Sequence, residues 1–248
     1  MAISSPPRRG GQAAPQRQRG LITALVLALV AVLVLAAAVV ALLARGGWPG
    51  SVVQGTGVQG TGVPATQSRA LPTFGRLDLA GSNNVAVAVG GRQSVVVHGD
   101  SNLLRYVTTR VVAGTLVIGT TGSFTTRSPM SVEVSVPSLA AVTLSGSGKI
   151  SVNGIDAPRL TVTLPGSGAI YAGGTVTNLR VTLGGSGLAQ LQNLAARDAR
   201  AVVAGSGLIR VTATASLNAA VTGSGAIIYS GDPQVTSNVT GSGAVTRG

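Results

Sequence analysis

The chain has 248 residues, of which 45% are hydrophobic but only 2% aromatic, with 36 glycines, no cysteine and a formal net charge of +12. Without cysteine there is no disulfide, no thiolate metal site and no thiol nucleophile, and a core has to be assembled from Val, Leu, Ile and Ala. From Gly46 onward twelve arginines and one lysine face six carboxylates, all scattered singly, and the few aromatic rings leave little for bases to stack on, so nucleic acid is not an expected partner.

Residues 1–20 set Pro6, Pro7 and Pro15 among Arg and Gln and are too polar to bury a core, which predicts a disordered tail. The run from Leu21 to Leu43 carries no charge, and Thr23 is its one polar side chain. As a helix it would be about 34 Å long, enough for a hydrocarbon layer of about 30 Å. Arg8, Arg9, Arg17 and Arg19 precede it and only Arg45 follows closely. The positive-inside rule therefore predicts a single-pass protein of the cell membrane, its N-terminus cytoplasmic and its C-terminal domain outside.

A cleaved signal peptide is the rival, since Ala36-Ala-Ala38 and Leu42-Leu-Ala44 resemble cleavage sites. The apolar run exceeds the usual length of about 7–15 residues, which favours an uncleaved anchor, and export is expected either way. No cysteine follows the run, which excludes a lipoprotein anchor. Residues 44–72 read as a flexible spacer, with Pro49, Pro64 and Pro72 and a tandem Val53-Gln-Gly-Thr-Gly57, Val58-Gln-Gly-Thr-Gly62.

Residues 73–248 are expected to form one β domain. Its first part, to about residue 140, has strand-like runs at Val85–Val89, Val95–Val97, Leu116–Ile118 and Val132–Val136, separated by Gly, Asn, Asp and Thr turns. These predict irregular first coils that cap one end. Further on, Gly-Ser-Gly occurs six times at nearly even spacing, centred on Ser147, Ser167, Ser186, Ser206, Ser224 and Ser242. A period of roughly 18–20 residues is the mark of a solenoid with one coil per repeat.

The columns around each serine identify the coil as β. Three positions before it stand Leu144, Leu164, Leu183, Val203, Val221 and Val239; five before it, Val142, Val162, Val181, Ala201, Ala219 and Ser237. Three positions after it stand Ile150, Ile170, Ala189, Ile209, Ile227 and Val245. Apolar and polar residues alternate with period two on both sides of the turn, which is the pattern of strands with one buried face. Parallel stacking would repeat each column about every 4.8 Å and pile like side chains into ladders. The Gly-Ser-Gly serines are read as structural turns: glycine permits positive φ where coils crowd, and serine can bond to the backbone or the next coil. Lys149 follows only one of the six, and the phosphate-binding loop pattern is absent. The C-terminal coil has no evident cap, and its unpaired edge offers a route to oligomers.

Phe74-Gly-Arg-Leu-Asp-Leu, the Val-rich strands, and Val132-Glu-Val-Ser-Val-Pro-Ser-Leu139 leading into Leu144-Ser-Gly-Ser-Gly148 resemble the putative auto-transporter adhesin head GIN domain family over about residues 74–248. The resemblance implies a right-handed parallel β-helix in a bacterial envelope protein. It implies no catalytic mechanism.

The acids are Asp78, Asp100, Glu133, Asp156, Asp198 and Asp232. Asp156 and Asp198 lie two coils apart, about 10 Å, near the upper limit for an inverting glycosidase pair, with Arg159, Arg197 and Arg200 close in sequence. Solvent-facing turns account for them more simply. His98 is the one histidine, in a Gly-Asp turn, with no second ligand type to support a metal. No catalytic residue, metal site or cofactor is expected, and no ligand-binding residue is assigned. Three roles fit: a non-catalytic, adhesin-like envelope module binding a cell-wall glycan or envelope protein; a polysaccharide-active β-helix enzyme; and an envelope-sensing regulator relaying through the short tail.

Overall fold

Between Lys149 and Leu164 the buried side chains are Ile150 and Val152, then Ile155, then Leu160, Val162 and Leu164. A straight strand would hold one phase of alternation throughout. Here the exposed pairs Asn153-Gly154 and Pro158-Arg159 each shift the phase. Each shift is a corner and the Gly-Ser-Gly turn is a third, so one winding consists of three short runs around an aliphatic interior.

The structure, a computed structural model, describes residues 57–248. Its strands in chain order are β1 (Val58–Gln59), β2 (Pro64–Ser68), β3 (Arg76–Leu79), β4 (Asn84–Val89), β5 (Ser94–Asp100), β6 (Val107–Val112), β7 (Thr115–Thr120), β8 (Phe124–Thr125), β9 (Ser131–Val136) and β10 (Ala141–Leu144). They continue with β11 (Lys149–Leu164), β12 (Ala169–Leu183), β13 (Leu188–Gly205), β14 (Leu208–Gly223), β15 (Ala226–Ser230), β16 (Gln234–Thr240) and β17 (Ala244–Arg247). Among the described residues no helix is long and apolar enough to cross a membrane. The transmembrane helix expected at 21–43, the tail at 1–20 and the spacer up to residue 56 lie outside the described residues.

From β10 onward the windings are parallel and in register. Val142, Val162, Val181, Ala201 and Ala219 form one continuous ladder, and Leu164, Leu183, Val203, Val221 and Val239 a second. Ile150, Ile170, Ala189, Ile209, Ile227 and Val245 form a third. The fold is an all-β parallel solenoid, and its aliphatic columns are those the repeat predicts. They bury without aromatic rings because each side chain meets its counterparts one winding above and below.

The N-terminal end departs from simple winding. β3 pairs with β10 on one side and β7 on the other, and β4 pairs with β11 and β9. The winding of residues 76–89 therefore lies between that of 115–136 and that of 141–153. Leu77 meets Val142, a partner far along the chain. Beyond it β5 runs antiparallel to β9, β6 antiparallel to β7, and β2 antiparallel to β5. These antiparallel strands cover the parallel edge that the stack would otherwise expose.

Within the described residues, 57–72, which the spacer reading treats as flexible, contribute strands to the domain. β1 pairs with β8 and β2 with β5. The second copy of the tandem repeat is held by the wholly buried Asp100. Its carboxylate accepts hydrogen bonds from the backbone N–H of Gly62 (2.9 Å), Arg127 (2.7 Å) and Ser128 (3.2 Å) and from Ser128 Oγ (2.9 Å). Asn102 Nδ2 donates to Gln59 O (2.8 Å), and Thr61 N–H donates to Asn102 Oδ1 (3.1 Å). Composition alone makes Gln-Gly-Thr-Gly a spacer; here donors and acceptors from distant parts of the chain fix it.

At the other end β16 and β17 are outermost. Val235 and Val239 continue columns that are buried in the winding before, yet they are 39% and 41% exposed. Among the described residues no strand pairs with the outer edge of β16 or β17.

Candidate functional site

Gly146, Gly166 and Gly185 each face a carbonyl oxygen of the preceding winding, those of Gly81, Gly146 and Gly166, and a Cβ on any of them would overlap it. Gly148 and Gly168 meet the carbonyls of Asn83 and Gly148 in the same way. Positive φ, the expected reason for these glycines, holds at Gly223 (+117°) and Gly241 (+109°) but not at Gly146, Gly166 or Gly185. There the lack of a side chain, not the backbone angle, is what the corner needs.

Ser147, Ser167, Ser186, Ser206, Ser224 and Ser242 all project into solvent. The register carries their row back to Ser82, in Gly81-Ser82-Asn83. The sequence reading misses this corner because Asn83 stands in place of the second glycine; that side chain is buried, with Nδ2 unpartnered. Ser82, Ser147, Ser167 and Ser186 with Lys149 line a shallow groove of about 320 Å³.

A larger depression, about 540 Å³, lies on the outer face of the run that precedes each Gly-Ser-Gly. Two outward columns build it. One stacks Arg159, Asn178, Asp198 and Ser216; the other stacks Thr161, Arg180, Arg200 and Asn218. Buried Leu179 and Ala199 form the floor. Asp198 accepts from Ser216 Oγ and lies 4.0 Å from Arg197 Nε. Arg159, Arg180 and Arg200 form no ion pair among the described residues. The signal for this face was available six positions before each central serine, a column that alternation turns outward.

The structure does not unite the two candidate carboxylates. Asp156 lies on the preceding run, in register with Thr175, whose Oγ1 donates to it (3.2 Å). It shares its depression with Arg197, while Asp198 shares the other with Arg159 and Arg200. His98 is not in a turn but in β5. Its Nδ1 lies 3.2 Å from Thr66 Oγ1, and its Nε2 lies 3.4 Å from a Glu133 carboxylate oxygen. Among the described residues no group of three or more His, Asp or Glu side chains could hold a metal ion.

Two carboxylates have displaced titrations. Burial pushes Asp78 above the usual carboxylate value, against the hydrogen bond donated by Ser145 Oγ. Asp100 is held below it, first by the Arg127 N–H and then by Ser128 and Gly62, although burial acts the other way.

Residues 73–233 match the profile of the family described as "Putative auto-transporter adhesin, head GIN domain". The fold resembles the crystal structure of a putative adhesin from Bacteroides fragilis, with 21% identity and a TM-score of 0.66 over 77% of this chain and 100% of that one. It also resembles a putative lipid binding protein from Parabacteroides distasonis (23%, TM-score 0.52, covering 78% and 100%). A putative adhesin from the same species is similar too (22%, TM-score 0.50, covering 78% and 100%). At these identities the likeness is one of fold. No protein of curated function is significantly similar to the chain.

Proposed function

Because the chain belongs to the putative auto-transporter adhesin head GIN domain family, we propose that it is a non-catalytic binding module of the cell surface, carried on the membrane by residues 21–43. The flank of its solenoid meets a cell-wall glycan or an envelope protein. The observation that carries this reading is the outward pair of polar columns from Arg159 to Asn218, an open surface spanning four windings. Extended faces of this kind are where repeat proteins bind their partners. The adhesin descriptions of two solved relatives support the same direction. Cleavage of a polysaccharide gains no support from Asp156 and Asp198, which line separate depressions.

The test is retention of the purified protein on isolated cell walls and on a glycan array, alongside membrane fractionation of cells that express it. Retention on walls or glycans, with the chain in the membrane fraction, is the expected result. Failure to bind any surface would remove the binding role, and recovery in the soluble fraction would remove the anchor.

A further inference from the structure

Arg180 and Arg200 stand side by side in successive windings, a placement in which like charges repel across the ladder. Both are exposed and neither has a carboxylate partner among the described residues. The one acid in their depression, Asp198, is engaged by Ser216 and Arg197. Arg159 lines the same depression from the neighbouring column, beside Asn178. Elsewhere on this face charges stand against neutral neighbours: Arg76 lies beside Ala141 and Asp78 beside Thr143, and Thr143, Thr163 and Thr182 form a neutral run. The repulsion thus falls in the depression that three arginines line.

The chemistry of the depression selects its occupant. A guanidinium presents a planar fork of donors that matches a carboxylate, sulfate or phosphate group. Asn178, Asn218 and Thr161 add amide and hydroxyl groups able to pair with sugar hydroxyls. No aromatic ring lines the site, so a nucleic-acid base finds nothing to stack on. The depression crosses four windings and is open to solvent, which suits a chain rather than a single small ion. Resting on the surface-module reading, we infer that this face binds an acidic glycan, a polysaccharide carrying uronate, sulfate or phosphate groups, through Arg159, Arg180 and Arg200.

The experiment uses the full chain in mild detergent. Its binding is measured to polygalacturonate, to a sulfated glycan, to a neutral glucan of similar length and to single-stranded DNA, at two salt concentrations. At least one acidic glycan is expected to bind tenfold or more tightly than the neutral glucan, with the difference shrinking at high salt. Arg180→Ala with Arg200→Ala is expected to weaken acidic-glycan binding by about tenfold or more, and Arg159→Ala to weaken it as well. The double variant should melt no lower than the wild type, since repulsion is removed, so lost binding is not lost folding. Equal binding of neutral and acidic glycans, or unchanged binding by the variants, overturns the site while leaving the surface module standing. DNA binding as tight as the acidic glycans overturns glycan recognition in favour of plain polyanion attraction. Absence of binding to every polymer and to isolated walls overturns the module reading itself.

Discussion

The carboxylate of Asp100 fills the space that a side chain on Gly60 would need. The same carboxylate receives three backbone N–H groups and a hydroxyl, and so ties the tandem repeat to the turn at Arg127 and Ser128. Gly60→Ala and Asp100→Ala should both lower the melting temperature, the first by displacing the carboxylate and the second by orphaning its donors. Because both break one unit, the double variant should fall well short of the sum of the two. Thermal melts, with amide exchange at residues 58–68, check this. Asp100 titrates below the ordinary value of 3.8. Its contribution is therefore complete above that value and is lost as pH falls through the lower folded one. In Asp100→Asn that segment of acid sensitivity should be missing.

Asp78 carries the opposite sign. Its pKa is raised by burial, so the charged form is penalised in the fold, and the penalty appears as pH rises through the folded value. Asp78→Asn, which keeps an acceptor for Ser145, should raise the melting temperature at pH 7 and match the wild type below the unfolded value of 3.8. A melting-temperature profile against pH for the two proteins decides it; a variant destabilised at pH 7 would contradict the assignment.

Gly168→Ala would drive a methyl group into the carbonyl of Gly148 and against Leu144. The obstacle is backbone fixed on both sides, so the cost should be about 3 kcal/mol or more. Gly75→Ala, whose nearest neighbour would be Ser138 O at 3.9 Å, should change stability by less than about 1 kcal/mol. Denaturant melts of the pair measure the difference.

Leu164→Ala removes a fully buried rung next to Leu183 and should cost about 2–5 kcal/mol, the range for a large-to-small change in a core. Thr163→Ala, one residue away on the outer face, should stay within about 0.5 kcal/mol. Comparable losses at both sites would mean that this face is packed against something.

The solenoid was legible in the sequence from Ala141 onward because every winding repeats one physical problem. The interior admits only aliphatic side chains, so Val142, Val162 and Val181 recur at the same distance from the Gly-Ser-Gly corner. The cap was legible as strands but not as an arrangement, since nothing in Val85–Val89 or Val132–Val136 says that the two runs are neighbours. That pairing is long-range, and a period-two pattern is silent about partners. Asp100 and the Val58–Gly62 segment were illegible for a related reason: their order comes from hydrogen bonds between parts of the chain far apart in sequence. Arg180 and Arg200 were readable in principle, six places before Ser186 and Ser206, but alternation marks a face as outward without saying which outward residues gather over a hollow.

The winding of residues 76–89, threaded first and enclosed by two that come later, gives the molecule a direction of assembly. Its pairing with 141–153 closes a long loop, and closing so distant a contact is slow, because its entropy is lost before the ladder returns any. Once that sandwich is shut, each later repeat meets a finished template immediately behind it and adds by local steps. Folding is then expected to spread from this base by local steps, and removing windings from the C-terminal side should shorten the stack without undoing what lies beneath.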